Sequence, residues 1–164
     1  MKYTSEQLVW VSARFAMGFI FFWAYLDKLF GLGFATASGK SWLDGVSPTT
    51  GFLGHSSGWF AGAFQALAGS GVVDVLFMFG LLLIGLALLL GVGMRVAGWA
   101  GALMVLLMWL AKFPPVQNPI IDEHTVYLIV LIGLAVTSTK PGRIFGLGQA
   151  WAKTALVKKY PVLE

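Results

Sequence analysis

Four apolar runs constrain this chain more than any other feature. An α-helix rises about 1.5 Å per residue, so roughly twenty mostly apolar residues cross the ~30 Å hydrocarbon core of a bilayer. The sequence supplies candidates at about 8–30, 72–94, 96–112 and 120–139. With 58% of its 164 residues hydrophobic and only 11% charged, the composition is not that of a soluble domain. The expected fold is all-α: a single integral membrane domain over 1–164, a four-helix bundle with a short extracytoplasmic amphipathic helix. The first run is too long for a signal-peptide core and lacks a small-residue cleavage pattern after it, so it reads as a mature helix.

Four spans put both termini on one side, and the basic residues choose the side. Lys2, Arg14, Arg95, Lys140, Arg143, Lys153, Lys158 and Lys159 fall together, against Lys28, Lys40 and Lys112 opposite. Eight against three predicts cytoplasmic termini in a multi-pass protein of the cell membrane. The connection over 33–71 then faces outward, as does the short one before the fourth span. Within the long connection, 47–52 (SPTTGF) reads as turn without helical periodicity. In 59–67, Trp59, Phe60, Ala63, Phe64 and Leu67 recur at helical spacing on a segment too short to span. Its polar face lacks charge, so a cap over the bundle fits better than a free membrane anchor; plain packing and a substrate lid are both open. The tail over 140–164 combines Phe145, Leu147, Trp151 and Leu156 with Lys153, Lys158 and Lys159, and is expected to lie along the anionic inner membrane face. The topology accounts for these lysines, so nucleic acid is not an expected partner.

Small residues indicate how the helices meet. Ala97, Gly98, Gly101 and Ala102 form a stripe on the third span, and Ala87 with Gly91 repeats the spacing on the second. Such residues let backbones approach where no hydrophobic force separates helix from lipid. Homo-oligomerisation would use the same stripes.

Several charges sit where composition does not explain them. Twelve residues separate Arg14 from Asp27, a rise of about 20 Å between the two charges, so both cannot reach headgroups. Arginine snorkels and a short aspartate does not, so one or both need partners inside the protein. Topology brings Asp27, Lys28, Asp74, Lys112, Asp122, Glu123 and His124 to one outer level. Arg14, Tyr25 and Lys28 share a face of the first helix, and Tyr127 lies one turn below Glu123 and His124 on the fourth. This polar layer is either a ligand site or a set of ion pairs and helix caps, since acids in a first helical turn also suit the macrodipole.

The absence of cysteine excludes disulfides, iron–sulfur clusters and thiol exchange, so redox chemistry would have to be borrowed from a cofactor, a substrate or a partner. His124 could serve as a proton-transfer group or as a hydrogen-bond donor to a carbonyl. The other histidine, His55, lies in the outer connection, and no paired-histidine motif suggests zinc or haem.

Three stretches in order, RFAMGFIFFWAYLDKLFGLG, LLLIGLALLLGVGMRVAGWAG and NPIIDEHTVYLIVLIGLAV followed by GLGQAW, resemble the DoxX family of small four-helix membrane proteins, nearer its DoxD-like branch. The resemblance covers nearly the whole chain. It implies a quinone-interacting membrane subunit of a redox system, similar to thiosulfate:quinone oxidoreductase, with a second redox subunit as a potential partner. It assigns Arg14, Asp27, Lys28, Asp122, Glu123 and His124 to the polar site. A quinone needs an apolar or aromatic slot, donors for its oxygens and a proton source. Lys28, Glu123 and His124 are the expected catalytic groups, and Arg14, Tyr25, Asp27, Lys112, Asp122 and Tyr127 the expected cofactor-binding ones. Three outer lysines against five outer acids (Asp27, Asp44, Asp74, Asp122, Glu123) do not attract thiosulfate. The alternative is a non-catalytic scaffold, chaperone or accessory subunit whose buried charges fix helix register. A transporter is less well supported, because no inverted repeat appears.

Overall fold

The computed structural model describes residues 3–116, 118–137 and 140–164, and among them every regular element is helical. The first helix, α1 (Ser5–Phe30), starts at a reciprocal cap encoded by TSEQ: the Thr4 hydroxyl accepts from the Gln7 amide while the Gln7 side chain accepts from the Thr4 amide. It stops at Gly31, whose left-handed φ of 65° lets its N–H reach the Asp27 carbonyl. Two short helices follow, α2 (Thr50–Gly54) and α3 (Ala61–Gln65), then α4 (Gly71–Leu90), α5 (Met94–Leu110) and α6 (Glu123–Val136). The stretch over 47–52 is thus partly helical, against the sequence expectation of turn alone. Ser47 supplies the reason, because its hydroxyl accepts from both the amide and the hydroxyl of Thr50 and so opens α2.

Helices α1 and α4 are long and apolar enough to cross a membrane. Helix α5, with 17 residues, and α6, with 14, are apolar but shorter. The run expected over 120–139 is helical only from Glu123. Asn118 takes the amides of Ile120 and Ile121 on its side chain, making a turn ahead of the helix, and Asp122 serves as the N-cap. At its far end Thr137 is extended, and residues 138–139 fall outside those described.

The four longer helices pack in chain order, α1 along α4, α4 against α5, and α5 along α6. Glycine sets the spacing. A Cβ on Gly85 would meet the Phe22 amide at 2.7 Å, and one on Gly98 would meet Ala135 Cβ at 2.7 Å and the Leu131 carbonyl at 2.8 Å. The stripe expected on the third span, Ala97, Gly98, Gly101 and Ala102, is buried throughout. Between the helices lie Met17, Phe21, Leu81, Ile84, Leu88, Val105, Leu131 and Leu134. The outward faces are also apolar: Phe19 on α1, Leu76 and Leu83 on α4, Trp99 and Leu103 on α5, and Val126 and Ile129 on α6 are all exposed.

Two ends result. At the loop end, residues 31–70 cover the C-terminus of α1 and the N-terminus of α4. At the tail end, left-handed Gly91 and Gly93 reverse the chain between α4 and α5, and the C-terminal segment folds back beneath them. That segment is no single amphipathic helix. It is two five-residue helices, α7 (Gly148–Ala152) and α8 (Ala155–Lys159), flanked by short 3-10 turns. The Leu147 amide donates to the Leu90 carbonyl, and Trp151 Nε1 donates to the Leu163 carbonyl at 2.6 Å. Leu156, Phe145 and Leu147 still face outward.

Candidate ligand site

Of the charges that topology brings to the loop end, most are bound to the main chain or to side chains of the loops. Asp27 is fully buried, and its Oδ1 accepts the Phe34 amide at 3.2 Å, pinning the turn that follows α1. Its Oδ2 has no hydrogen-bond partner among the described residues. Asp74, buried in the first turn of α4, accepts from the Ser47 hydroxyl at 2.8 Å and the Thr49 hydroxyl at 2.5 Å, which fastens the connection to the helix. Lys112 donates to the His55 carbonyl at 3.3 Å, with its Nζ 5.3 Å from the Phe52 ring centroid.

On α6, Asp122 spends one oxygen on the Thr125 amide and the other on His124 Nδ1, at 2.9 Å. This bond suits the tautomer with its proton on Nδ1 and leaves Nε2 as the second functional edge of the ring. Glu123 Oε1 lies 4.0 Å from the same Nδ1 but is largely exposed. The ligating atoms of Asp122, Glu123 and His124 lie within 4.8 Å of one another. Asp122 and His124 bond each other, while Glu123 is exposed.

Arg14 lies at the tail end. Its guanidinium, fully buried, donates to the carbonyls of Leu88 and Leu89 at the end of α4 and of Ile144 and Phe145 in the tail, at 2.7–3.2 Å. It neutralises the partial negative charge of a helix C-terminus and ties the tail to it. Tyr25 and Tyr127 are half-buried against the apolar core. Among the described residues, no hydrogen bond or ion pair joins Asp27 or Lys28 of α1 to Glu123 or His124 of α6. Where α1 and α6 do touch, the Trp10 ring lies on Gly133.

Lys28 is the exception among the charges. It is half-buried, makes no hydrogen bond or ion pair among the described residues, and its Nζ stands 5.9 Å from the Phe77 ring centroid. It also lines a cavity of about 460 Å3, within the range of small-molecule sites. The cavity lies between the loop-end halves of α4 and α5, beneath α2 and α3. Its walls are almost wholly apolar, with Phe52, Phe64, Phe77, Met104 and Met108 prominent, and Lys28 is their one charged residue. Exposed Leu76, Leu103 and Leu107 form its side toward the protein exterior. Thr49 also lines it, but its hydroxyl is committed to Asp74. The space therefore offers apolar walls and, among the described residues, one ammonium donor without a hydrogen-bond partner.

The sequence marked Lys28 and, through its helical spacing, Phe64 and Leu67. It gave no signal for Phe77, Met104 or Met108, since apolar residues facing lipid and facing a cavity look alike. Neither Glu123 nor His124 lines the cavity. No family profile matches the chain, and comparisons with curated proteins and with solved structures also find no match.

Proposed function

We propose that this chain is an integral membrane four-helix bundle of the DoxX type that binds a quinone beside Lys28, as a subunit of a redox system. The observation that carries the reading is the apolar cavity with its single ammonium, lined on its outer side by exposed Leu76 and Leu103. With apolar side chains on the outward face of every long helix, that side meets hydrocarbon, and a lipid-soluble ring enters without crossing water. The eight-to-three division of basic residues puts the tail end in the cytoplasm and the cavity in the outer half of the bilayer.

A quinone, when bound, supplies reversible two-electron, two-proton chemistry. The residues fit its binding: Phe52 and Phe77 offer ring faces, Lys28 Nζ donates to one oxygen, and α2 with α3 exclude water from above. The walls offer no free donor for the second oxygen. Electrons come from a further cofactor, a substrate or a second subunit, because the chain has no cysteine of its own.

The test is labelling by a photoreactive quinone analogue of the purified protein in lipid nanodiscs. Labels are expected on the α4 and α5 segments around Phe77 and Met104, displaced by excess unmodified quinone. Lys28→Met is expected to weaken that displacement about tenfold, the worth of one charge-assisted hydrogen bond. Labels that resist competition, or that map elsewhere, would overturn the reading. A second reading, a non-catalytic scaffold, is favoured by the commitment of Asp27, Asp74, Lys112 and Asp122 to loops and caps. It predicts stable co-purification with a larger complex and no competed label.

A further inference from the structure

At the tail end, away from the cavity beside Lys28, a second cleft of about 130 Å3 opens among the start of α5, the end of α6 and the returning C-terminal segment. Three cationic side chains line it: Arg95, Lys140 and Arg143. One side-chain carboxylate is seated among them. Glu164 sets Oε1 against the Arg143 guanidinium and Oε2 at 3.5 Å from Lys140 Nζ. The Arg95 side chain makes no hydrogen bond or ion pair among the described residues, although its amide donates to the Glu164 main-chain oxygen at 3.4 Å. The cations thus outnumber the side-chain carboxylate that engages them. Trp151 and Pro161 give the cleft an apolar flank.

We infer that this cleft binds a phosphate group, with the Glu164 carboxylate as its internal occupant. A guanidinium, an ammonium and a second guanidinium around one small space are the donors that a tetrahedral oxyanion with several acceptor oxygens recognises. A carboxylate fills only part of that demand. Its two oxygens reach Arg143 and Lys140, and Arg95 is left over. When a phosphate oxyanion enters, Glu164 swings out and all three cations engage the ligand. Both a lipid headgroup and a free phosphate present this chemistry, and the Trp151 flank suits the ester side of either. The inference stands on the tail-end geometry and is independent of the quinone reading.

The full chain is tested in phosphatidylcholine nanodiscs titrated with inorganic phosphate, and by native mass spectrometry of bound lipid after exchange from phosphatidylglycerol. Glu164→Gln removes the competing charge and is expected to tighten binding about fivefold, while Arg95→Gln weakens it by a similar factor, as for partly exposed ion pairs. Among the described residues the Arg95 side chain holds nothing else in place, so its substitution reads the site and not the fold. Changes with phosphatidylglycerol alone identify a headgroup site, and changes with inorganic phosphate identify a free phosphate site. If Arg95→Gln leaves binding of both probes as in the wild type, or Glu164→Gln weakens it, the inference is overturned.

Discussion

Arg14 carries a charge into the protein and, among the described residues, meets no carboxylate there. Four main-chain carbonyls receive it, two at the end of α4 and two in the tail. The planar guanidinium spans both pairs, which a single ammonium cannot do. Arg14→Met is therefore expected to cost about 3 kcal/mol by stranding buried acceptors, and Arg14→Lys to recover only part of it. Denaturant titration in detergent, followed by circular dichroism, checks the order wild type, lysine, methionine. Asp44 gives a prediction in pH. The Ser41 hydroxyl at 2.6 Å, followed by the Ser41 amide at 3.0 Å, holds its carboxyl below the usual carboxylate range. Its folded value lies below its unfolded one, so the turn is fully stabilised above the ordinary carboxylate pKa and loses that support as pH falls through the lowered value. The protection factor of the Ser41 amide, its exchange rate corrected for the intrinsic one, is expected to fall in that acid window, and Asp44→Asn to abolish the fall. A protection factor unchanged through that window in the wild type would refute this assignment.

At the scale of elements, backbone proximity decides which helices pair. Gly98 puts α5 against Leu131 and Ala135 of α6 with no room for a Cβ. Gly98→Leu is expected to destabilise the bundle by about 2 kcal/mol or more, since a packed interface accepts extra methylenes only by moving backbone. The same substitution at helical Gly62, where a Cβ would meet nothing and no positive φ is required, isolates the packing effect from the backbone one. The stripe was legible in the sequence because small residues recur at helical spacing. The partners of the loops were not. Nothing in SPTTGF announces that Ser47 and Thr49 bind Asp74, because that bond depends on where the connection returns across the end of α4. Nor do lengths follow hydropathy: the apolar run at 120–139 begins with a turn held by Asn118 and yields only 14 helical residues.

For the whole molecule, the absence of cysteine makes topology directly measurable. A single cysteine at exposed Ser38 in the long connection, or at exposed Lys158 in the tail, gives one site per variant. With a membrane-impermeant maleimide on intact cells, Ser38→Cys is expected to label at once and Lys158→Cys only after permeabilisation. Equal labelling of both before permeabilisation would reject the proposed four-span topology.

The sequence by itself determined an all-helical chain, its four apolar segments, the small-residue faces and the need for buried charge, because these depend on period, length and composition. Only the tertiary structure decided what each charge does. Asp27, Asp74 and Lys112 hold loops, Asp122 caps a helix and orients His124, Arg14 staples the tail, and Lys28 alone is left beside an apolar cavity. The reason is physical: hydrogen bonds act over about 3 Å between groups far apart in the chain, and their pairing is fixed only when the backbone has closed.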